Sequence, residues 1–440
     1  MHRRSLPLIL LLASVVAAVP AFAQSGLDVR TTGRAAGETR TPGAELPAAR
    51  FTLGQAVEAM RRSHLLLQAS KASLRAAAAE VVGSGLWTNP VADASYGRSF
   101  TNAQNDPTGS IGIGLTQFME VAGAPDARRS VARLAEKAVE SDAELTVRSL
   151  AFDVESACLA LTAAAAKVLL YAEANAELDR ANQIVSARVK AGAAPQYDAS
   201  RIAVAVAQAR AALADAQADL AQARGDLDIA VGPDAEQLQG LPDIDLFEIA
   251  TPAALDSLLD ETVRTRPDLV GAHQRAKAAE AQTTVARRNV LPGFSVRGGV
   301  YFGTTPGEFG ATVGVGVPLP LIDHGQGAVS ASLARSEVAN AIADALTLQA
   351  TQRVRASYNE TVRRRENFRQ YQGTGVTLSH GMVQEAEAGY RAGKLSVLEL
   401  VDAYVAKRDA RLRAIELAND ARQAEVRLRR AVQAGAAAMP

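Results

Sequence analysis

The chain carries one sequence pattern twice, about two hundred residues apart, and this duplication constrains its fold more than any other feature. Each copy contains a glycine-alternating patch, at 109–118 in the first half and at 310–319 in the second, with helical patterns around it. A duplicated helix–strand–strand–helix unit is difficult to reconcile with an enzyme and is typical of a pore wall. The matching glycines lie 202 positions apart: Gly112 with Gly314, Gly114 with Gly316, and Gly123 with Gly325.

The two ends of the chain are predicted to lie outside the fold. Residues 1–23 combine a basic start, an apolar run and the small-x-small motif Ala21-Phe22-Ala23, which is the pattern of a secretory signal peptide. Residues 24–50 are predicted to form a flexible N-terminal lead-in, and residues 434–440 a tail. The segments between them are predicted to be repeat 1 at 51–232, an inter-repeat linker at 233–252 and repeat 2 at 253–433.

Charge and cysteine usage exclude several classes of protein. The chain has 47 basic and 47 acidic residues, so its balance gives no electrostatic reason to expect a nucleic-acid partner. Cys158 is the single cysteine, which rules out a disulfide within one subunit. No run of eighteen or more apolar residues follows the signal peptide, so an exported protein of this composition would cross a membrane as a β-barrel.

Most of the chain is predicted to be helical. Residues 126–191 contain neither glycine nor proline and would form one helix about 100 Å long. The glycine and proline at 192–195 predict a tight turn into a second helix, which makes a coiled-coil hairpin. In the second copy a looser run over 328–392 leads to a corresponding turn near 393–396.

Four strands are predicted, two in each copy, at 91–100, 110–120, 294–303 and 309–319. Apolar residues on one face alternate with small or polar residues on the other, which is typical of transmembrane barrel strands, and aromatic residues cluster around them. Four strands cannot close a barrel with a lumen, and open edges would leave backbone groups unsatisfied in lipid. Closure therefore requires several subunits, and three copies would give twelve strands, enough for a lumen.

Several motifs resemble the outer-membrane efflux protein family of TolC type. They are 85–90 (GLWTNP), 112–120 (GIGLTQFME) and 317–323 (VPLPLID). The run 318–327 (PLPLIDHGQG) is most similar to the channels of cobalt–zinc–cadmium type heavy-metal exporters. The resemblance implies a homotrimer with a twelve-stranded barrel in outer-membrane lipid and a helical tunnel in the periplasm. It also implies a periplasmic adaptor and an inner-membrane pump of the RND class as partners, with no organic cofactor.

The hairpin turns carry the remaining resemblance. The segment 390–402 matches the periplasmic tip of the family, whereas Pro195 and Gln196 depart from its pattern in the first copy. The carboxylates of Glu399 and Asp402 match positions that ring the closed mouth, with Asp198 and Arg201 as their candidate partners in a gate. The implied adaptor-docking positions are Ala191, Gly192, Ala194, Ala392, Gly393 and Ser396.

Catalytic and metal-binding patterns are not found. The sequence contains no phosphate-binding loop, nucleophile elbow or dinucleotide fingerprint, and its histidines are too far apart to form a metal site of ordinary spacing. We predict a passive export duct rather than an enzyme, with divalent heavy-metal cations as cargo. The alternatives are the same fold exporting drugs or secreted polypeptides, and a soluble periplasmic coiled-coil adaptor or structural protein.

Overall fold

The computed structural model describes residues 49–98, 109–121, 123–291, 293–303 and 308–432. The predicted signal peptide, nearly all of the predicted lead-in and the predicted tail lie outside these residues. Within them the chain is mainly helical, and a four-stranded sheet is inserted between the helices.

The first half of the chain builds two short helices, two strands and a long helical hairpin. Its elements are β1 (Arg50–Phe51), α1 (Leu53–Ser63), α2 (Leu65–Ser84), β2 (Val91–Arg98), β3 (Gly109–Met119), α3 (Ala124–Lys190) and α4 (Gln196–Val231). Thr52 caps α1 in a capping box with Gln55. The extended backbone of His64 separates α1 from α2, and its Nδ1 accepts a hydrogen bond from the amide of Leu66 at 3.2 Å.

The second half repeats this order of elements. They are a 3₁₀ turn (Pro233–Gln237), β4 (Leu241–Pro242), α5 (Leu255–Thr265), α6 (Pro267–Arg288), β5 (Phe294–Gly303), β6 (Phe309–Gly316), α7 (Gln326–Tyr371), a π-helical turn (Gln372–Val376), α8 (Thr377–Arg391) and α9 (Val397–Val432). The break between α5 and α6 falls at Arg266 because proline at 267 disfavours a helical backbone in the residue before it.

Several boundaries differ from those expected, and β3 is shifted by one residue at each end from the predicted 110–120. Arg50, the last residue of the predicted lead-in, forms β1 and pairs in parallel with Leu241 of β4. Strand β6 ends at Gly316 rather than at 319, because its last partner on β5 is Ser295 and because Pro318 has no amide to donate.

Helix α3 is the central element of the helical part. It has 67 residues, which corresponds to a length of about 100 Å, and it packs against α2, α4, α6 and α9. One window of α3 is long and apolar enough to cross a membrane by length and composition alone, and half of that window is buried inside the protein. The buried side includes many alanines, which let neighbouring helices approach closely.

Apolar clusters and a few polar links hold the two halves together. One cluster joins α1, α3 and α4, and a second joins the lower ends of α3, α4, α8 and α9 near the hairpin turns. At the level of the first cluster, the buried carboxylate of Glu155 on α3 pairs with Arg429 on α9. The Ser156 hydroxyl also donates to the Gln423 side chain at 2.7 Å. The second half therefore packs directly on the longest helix of the first.

Candidate functional site

The four-stranded sheet has the order β2–β3–β5–β6, and every neighbouring pair is antiparallel. The pairing of β3 with β5 joins the two halves of the chain, with Ile111 opposite Phe302. Strands β2 and β6 each have a neighbour on one side only, so they form the two edges of the sheet.

One face of this sheet is apolar and exposed. Val313 is 85% exposed and Ile113 is 57% exposed, although both have large aliphatic side chains. The register places on this face Ala92, Ala94, Tyr96, Ile111, Ile113, Leu115, Val296, Val300, Phe302, Phe309, Ala311, Val313 and Val315, with Arg98 at the end farthest from the helices and Gln117 near the other end. A contiguous exposed apolar face on a sheet indicates contact with a partner or with lipid.

Aromatic residues mark the end of this face that lies farthest from the helices. One row across the four strands contains the aromatic residues Tyr96, Phe302 and Phe309, with Ile111 on β3 between Tyr96 and Phe302. The ring centroids of Phe302 and Phe309 are 5.4 Å apart. Tyr301, in contrast, lies on the opposite face, so the aromatic cluster seen in the sequence is divided between the two faces.

The opposite face carries mainly small and polar residues: Asp93, Ser95, Gly97, Ser110, Gly112, Gly114, Thr116, Arg297, Gly299, Tyr301, Thr312 and Gly314, with Val91 and Phe118 at the end nearest the helices. Glycines alternate with side chains that lie flat against the sheet. A Cβ atom at Gly112, for example, would stand 2.8 Å from the Ser95 hydroxyl oxygen. The face is therefore smooth, polar and suited to water.

The two hairpin turns have nearly the same backbone. Gly192 and Gly393 both have φ of +72°, a left-handed conformation that glycine adopts without steric cost at the end of a helix. The amides of Ala193 and Lys394 close the turns by donating to the Arg188 and Gly389 carbonyls at 2.8 and 2.9 Å. The predicted docking residues lie in or beside these turns, with five exposed (Ala191, Gly192, Ala392, Gly393 and Ser396) and one, Ala194, half-buried.

The predicted gate residues occupy different environments in one protomer. The Glu399 carboxylate turns back to the start of α9, where it accepts hydrogen bonds from the Ser396 amide at 2.7 Å and the Ser396 hydroxyl at 2.8 Å. These bonds lower the pKa of Glu399. Asp402 is exposed, and no ion pair among the described residues joins Asp198 or Arg201 to either carboxylate. The gate assignment stays a prediction about the assembled protein.

Arg188, which the sequence analysis did not single out, links the two hairpins. Its guanidinium lies 4.6 Å from the ring centroid of Tyr390 and donates to the Tyr390 carbonyl oxygen. Tyr390 is only 3% exposed, and its hydroxyl has no hydrogen-bond partner in the described part of the chain. Burial is the main cause of the raised pKa of Tyr390, which the Arg188 charge opposes and the Asp198 charge increases. An arginine in the last turn of α3 was the only available sequence signal.

A second polar link joins α3 and α9 farther from the hairpin turns. The buried Lys407 ammonium on α9 is 2.6 Å from the Glu177 carboxylate and 3.8 Å from that of Glu173, both on α3. Arg411 pairs with Glu173 at 2.6 Å, and this hydrogen bond is the main reason that the pKa of Glu173 is lowered. The lower ends of the two halves are thus joined by charge as well as by apolar packing.

Metal-ligating side chains do not converge in the described residues, where no group of three or more His, Cys, Asp and Glu could hold an ion. His324 lies in the exposed loop between β6 and α7, and its backbone amide donates to the Gln326 side chain at 3.0 Å.

The sequence profile of the family described as outer membrane efflux protein matches the chain twice, over residues 56–233 and 258–433. These two segments cover well over half of the chain. The chain belongs to the outer membrane efflux protein family. Among curated proteins compared by sequence, none matches it.

Several solved structures share the fold. A membrane protein from Pseudomonas aeruginosa is 20% identical, with a TM-score of 0.76 and coverage of 89% of this chain and 99% of that one. The outer-membrane channel OprN is also 20% identical (TM-score 0.75, coverage 93% and 99%). CusC is 17% identical, with a TM-score of 0.72 and coverage of 87% and 92%.

Family membership locates the protein and identifies its class. It is an outer-membrane efflux channel protein, with a large helical part in the periplasm. The alternative of a soluble periplasmic adaptor is therefore wrong. The TolC-like resemblance read from the sequence is confirmed at the level of the family, whereas several kinds of channel share the fold and none is singled out as the nearest subfamily.

Proposed function

We propose that three copies of this efflux protein close a twelve-stranded barrel and form a passive duct from the periplasm to the cell exterior. The observation that carries the proposal is the sheet itself, which has an exposed apolar face, a smooth polar face and two unpaired edges. In lipid every backbone amide and carbonyl needs a partner, so β6 of one copy pairs with β2 of the next. The glycine-rich face then lines the lumen.

The test is to extract the protein from outer membranes in mild detergent and to measure its mass and its conductance in planar bilayers. A particle of three chains that forms water-filled channels supports the proposal. A monomer contradicts the proposal. So does a trimer that, purified without its periplasmic partners, never conducts ions.

The duct receives cargo through partners at its periplasmic end. We assign the six turn residues described above to the contact with a periplasmic adaptor, which connects the duct to an inner-membrane RND pump. Their exposure and the matching backbone of the two turns support this assignment. Replacing Gly393 with a bulky β-branched residue, Gly393→Val, should abolish adaptor binding in a pull-down while leaving the isolated trimer assembled.

Divalent heavy-metal cations are the proposed cargo, and the segment 318–327 supports this choice through its similarity to the metal-exporting subfamily. A host lacking its own outer-membrane channels, complemented with this protein and its cognate pump, should gain resistance to cobalt, zinc or cadmium salts. Resistance to drugs without resistance to these cations would favour the alternative cargo, drugs or secreted polypeptides.

The carboxylates of Glu399 and Asp402 are proposed to ring the periplasmic mouth of the trimer, where six negative charges would repel one another unless paired. Asp198 and Arg201 follow the other turn and are the candidate partners in a neighbouring copy. If the double variant Glu399→Ala with Asp402→Ala leaves single-channel conductance and cation selectivity unchanged, the gate assignment fails.

A further inference from the structure

Three side chains on the glycine-rich face of the sheet form a link across three strands. The Arg297 guanidinium on β5 donates from Nε to the Thr116 hydroxyl on β3 at 3.2 Å, and its Nη2 lies 3.3 Å from the Asp93 carboxylate on β2. Arg297 is paired in register with Thr116, and Asp93 with Gly114. The arginine therefore reaches over β3 to a carboxylate on the strand beyond it.

Gly114 makes this arrangement possible. A Cβ atom at that position would stand 3.1 Å from both carboxylate oxygens of Asp93, so a larger residue would require that carboxylate to shift by a few tenths of an ångström. Because Gly114 has no side chain, the Asp93 carboxylate and the Arg297 guanidinium can lie flat along this face of the sheet. Both groups remain in contact with water, with side-chain exposures of 35% and 59%.

The link contributes little to the stability of the sheet. Ion pairs with this much exposure are worth about 0–1 kcal/mol, and the strands are already joined by continuous backbone pairing. The pair is also the main source of charge on this face. Within the described parts of the four strands, Asp93 and Arg297 are its only charged residues, and Glu308 lies just before β6 at the opposite end.

The position of the pair in the strands places it near the helices. Asp93 is the third residue of β2 and Arg297 the fourth of β5, and both strands begin at the side from which α2 and α6 enter. In the proposed trimer, three Asp93–Arg297 pairs would surround the axis at the periplasmic end of the lumen.

We infer that Asp93 and Arg297 set the electrostatic potential of the barrel lumen, with Arg297 neutralising a ring of three carboxylates that would otherwise retain divalent cations. This inference rests on the proposed trimeric barrel. A duct must bind its cargo weakly enough to release it, and an unpaired aspartate ring would hold divalent cations at the wall. Arg297 is thus a specificity-determining residue, and Gly114 is the position that lets it reach Asp93.

The test uses a cysteine placed on the same face, at Thr312→Cys, in the full-length trimer. Thr312 pairs with Gly299, two residues from Arg297 on the same face. The native Cys158 is buried and its pKa is raised to about 12, so it does not compete for thiol reagents. Cationic and anionic methanethiosulfonate reagents are added from outside at low ionic strength, and the ratio of their reaction rates reports the local potential.

Arg297→Gln should raise the cation-to-anion rate ratio about threefold at ~10 mM ionic strength, and Asp93→Asn should lower it by a similar factor. The double variant should return to the starting ratio. Glu308→Gln is the comparison variant, because it removes one carboxylate outside the pair and so gives the change in the ratio that a single lost negative charge produces on this face.

The outcomes separate this inference from the proposed function. If the cysteine at position 312 reacts with neither reagent in the membrane, the polar face does not line a water-filled lumen and the proposed barrel fails. If it reacts but the ratio is unchanged in the single variants, the barrel stands and the inference is overturned. Loss of trimers in both single variants, with trimers recovered in Arg297→Lys, would reduce the pair to a structural clamp and also overturn it.

Discussion

At the scale of single residues, Arg188 has the clearest consequence for opening. Its charge lies over the buried ring of Tyr390, and few other polar contacts join the turns of the two hairpins. We expect Arg188→Ala to loosen α3 from α8 and to raise the mean single-channel conductance of the isolated trimer. The control is Arg391→Ala, since the ion pair of Arg391 within the described residues is with Glu387, one turn away on the same helix. Equal conductance in the two variants would contradict a linking role for Arg188.

Ser396 and Glu399 give a prediction about pH. Because hydrogen bonds from Ser396 lower the pKa of Glu399 from its ordinary value of 4.5, their contribution to stability is complete above that value. It is lost as the pH falls through the lowered pKa of the folded protein. Ser396→Ala should therefore reduce the thermal midpoint of the helical part at pH 7, and the difference from wild type should shrink in acid. Circular dichroism across pH 3 to 7 measures both midpoints, and a difference independent of pH would show that Glu399 is not involved.

At the scale of elements, the π-helical turn contains two glycines, Gly373 and Gly375, whose surroundings differ. A methyl group at Gly373 would meet no atom within 4 Å, whereas at Gly375 it would meet the Tyr371 ring at 3.0 Å. Alanine favours a helix over glycine by about 1 kcal/mol. We expect Gly373→Ala to raise the thermal midpoint and Gly375→Ala to leave it unchanged or lower it. A rise in both would mean that the Tyr371 ring moves aside freely.

Individual elements also show how much of the structure the sequence predicts. The predicted strand 294–303 has the bounds of β5, although its alternation is less regular than that of 309–319. The end of β6 was misjudged because Val317 and Leu319 continue the alternation, and only the register with β5 shows that the pairing has stopped. The capping role of Glu399 and the contact of Arg188 with Tyr390 depend on rotamers and on helices 202 residues apart, which no local pattern encodes.

At the scale of the whole molecule, the two faces of the sheet should tolerate charge differently. Val313 and Thr312 are neighbours on β6 but point to the apolar and the polar face. An arginine facing lipid near the bilayer centre costs about 2–4 kcal/mol, whereas one facing a water-filled lumen is solvated. Val313→Arg should reduce the yield of membrane-inserted trimers on non-denaturing gels, and Thr312→Arg should not. The same loss in both would argue against a lipid-facing role for the apolar face.

The unpaired edges of β2 and β6 have a genetic consequence. In the proposed trimer all three pairings of β6 with β2 must form, so one chain with a damaged edge strand would inactivate the two intact chains that assemble with it. When sound and damaged chains are made in equal amounts and mix freely, only about one ring in eight is intact. Edge mutations should therefore behave as dominant in cells that also carry the wild-type gene, whereas mutations that merely weaken one helix should be recessive.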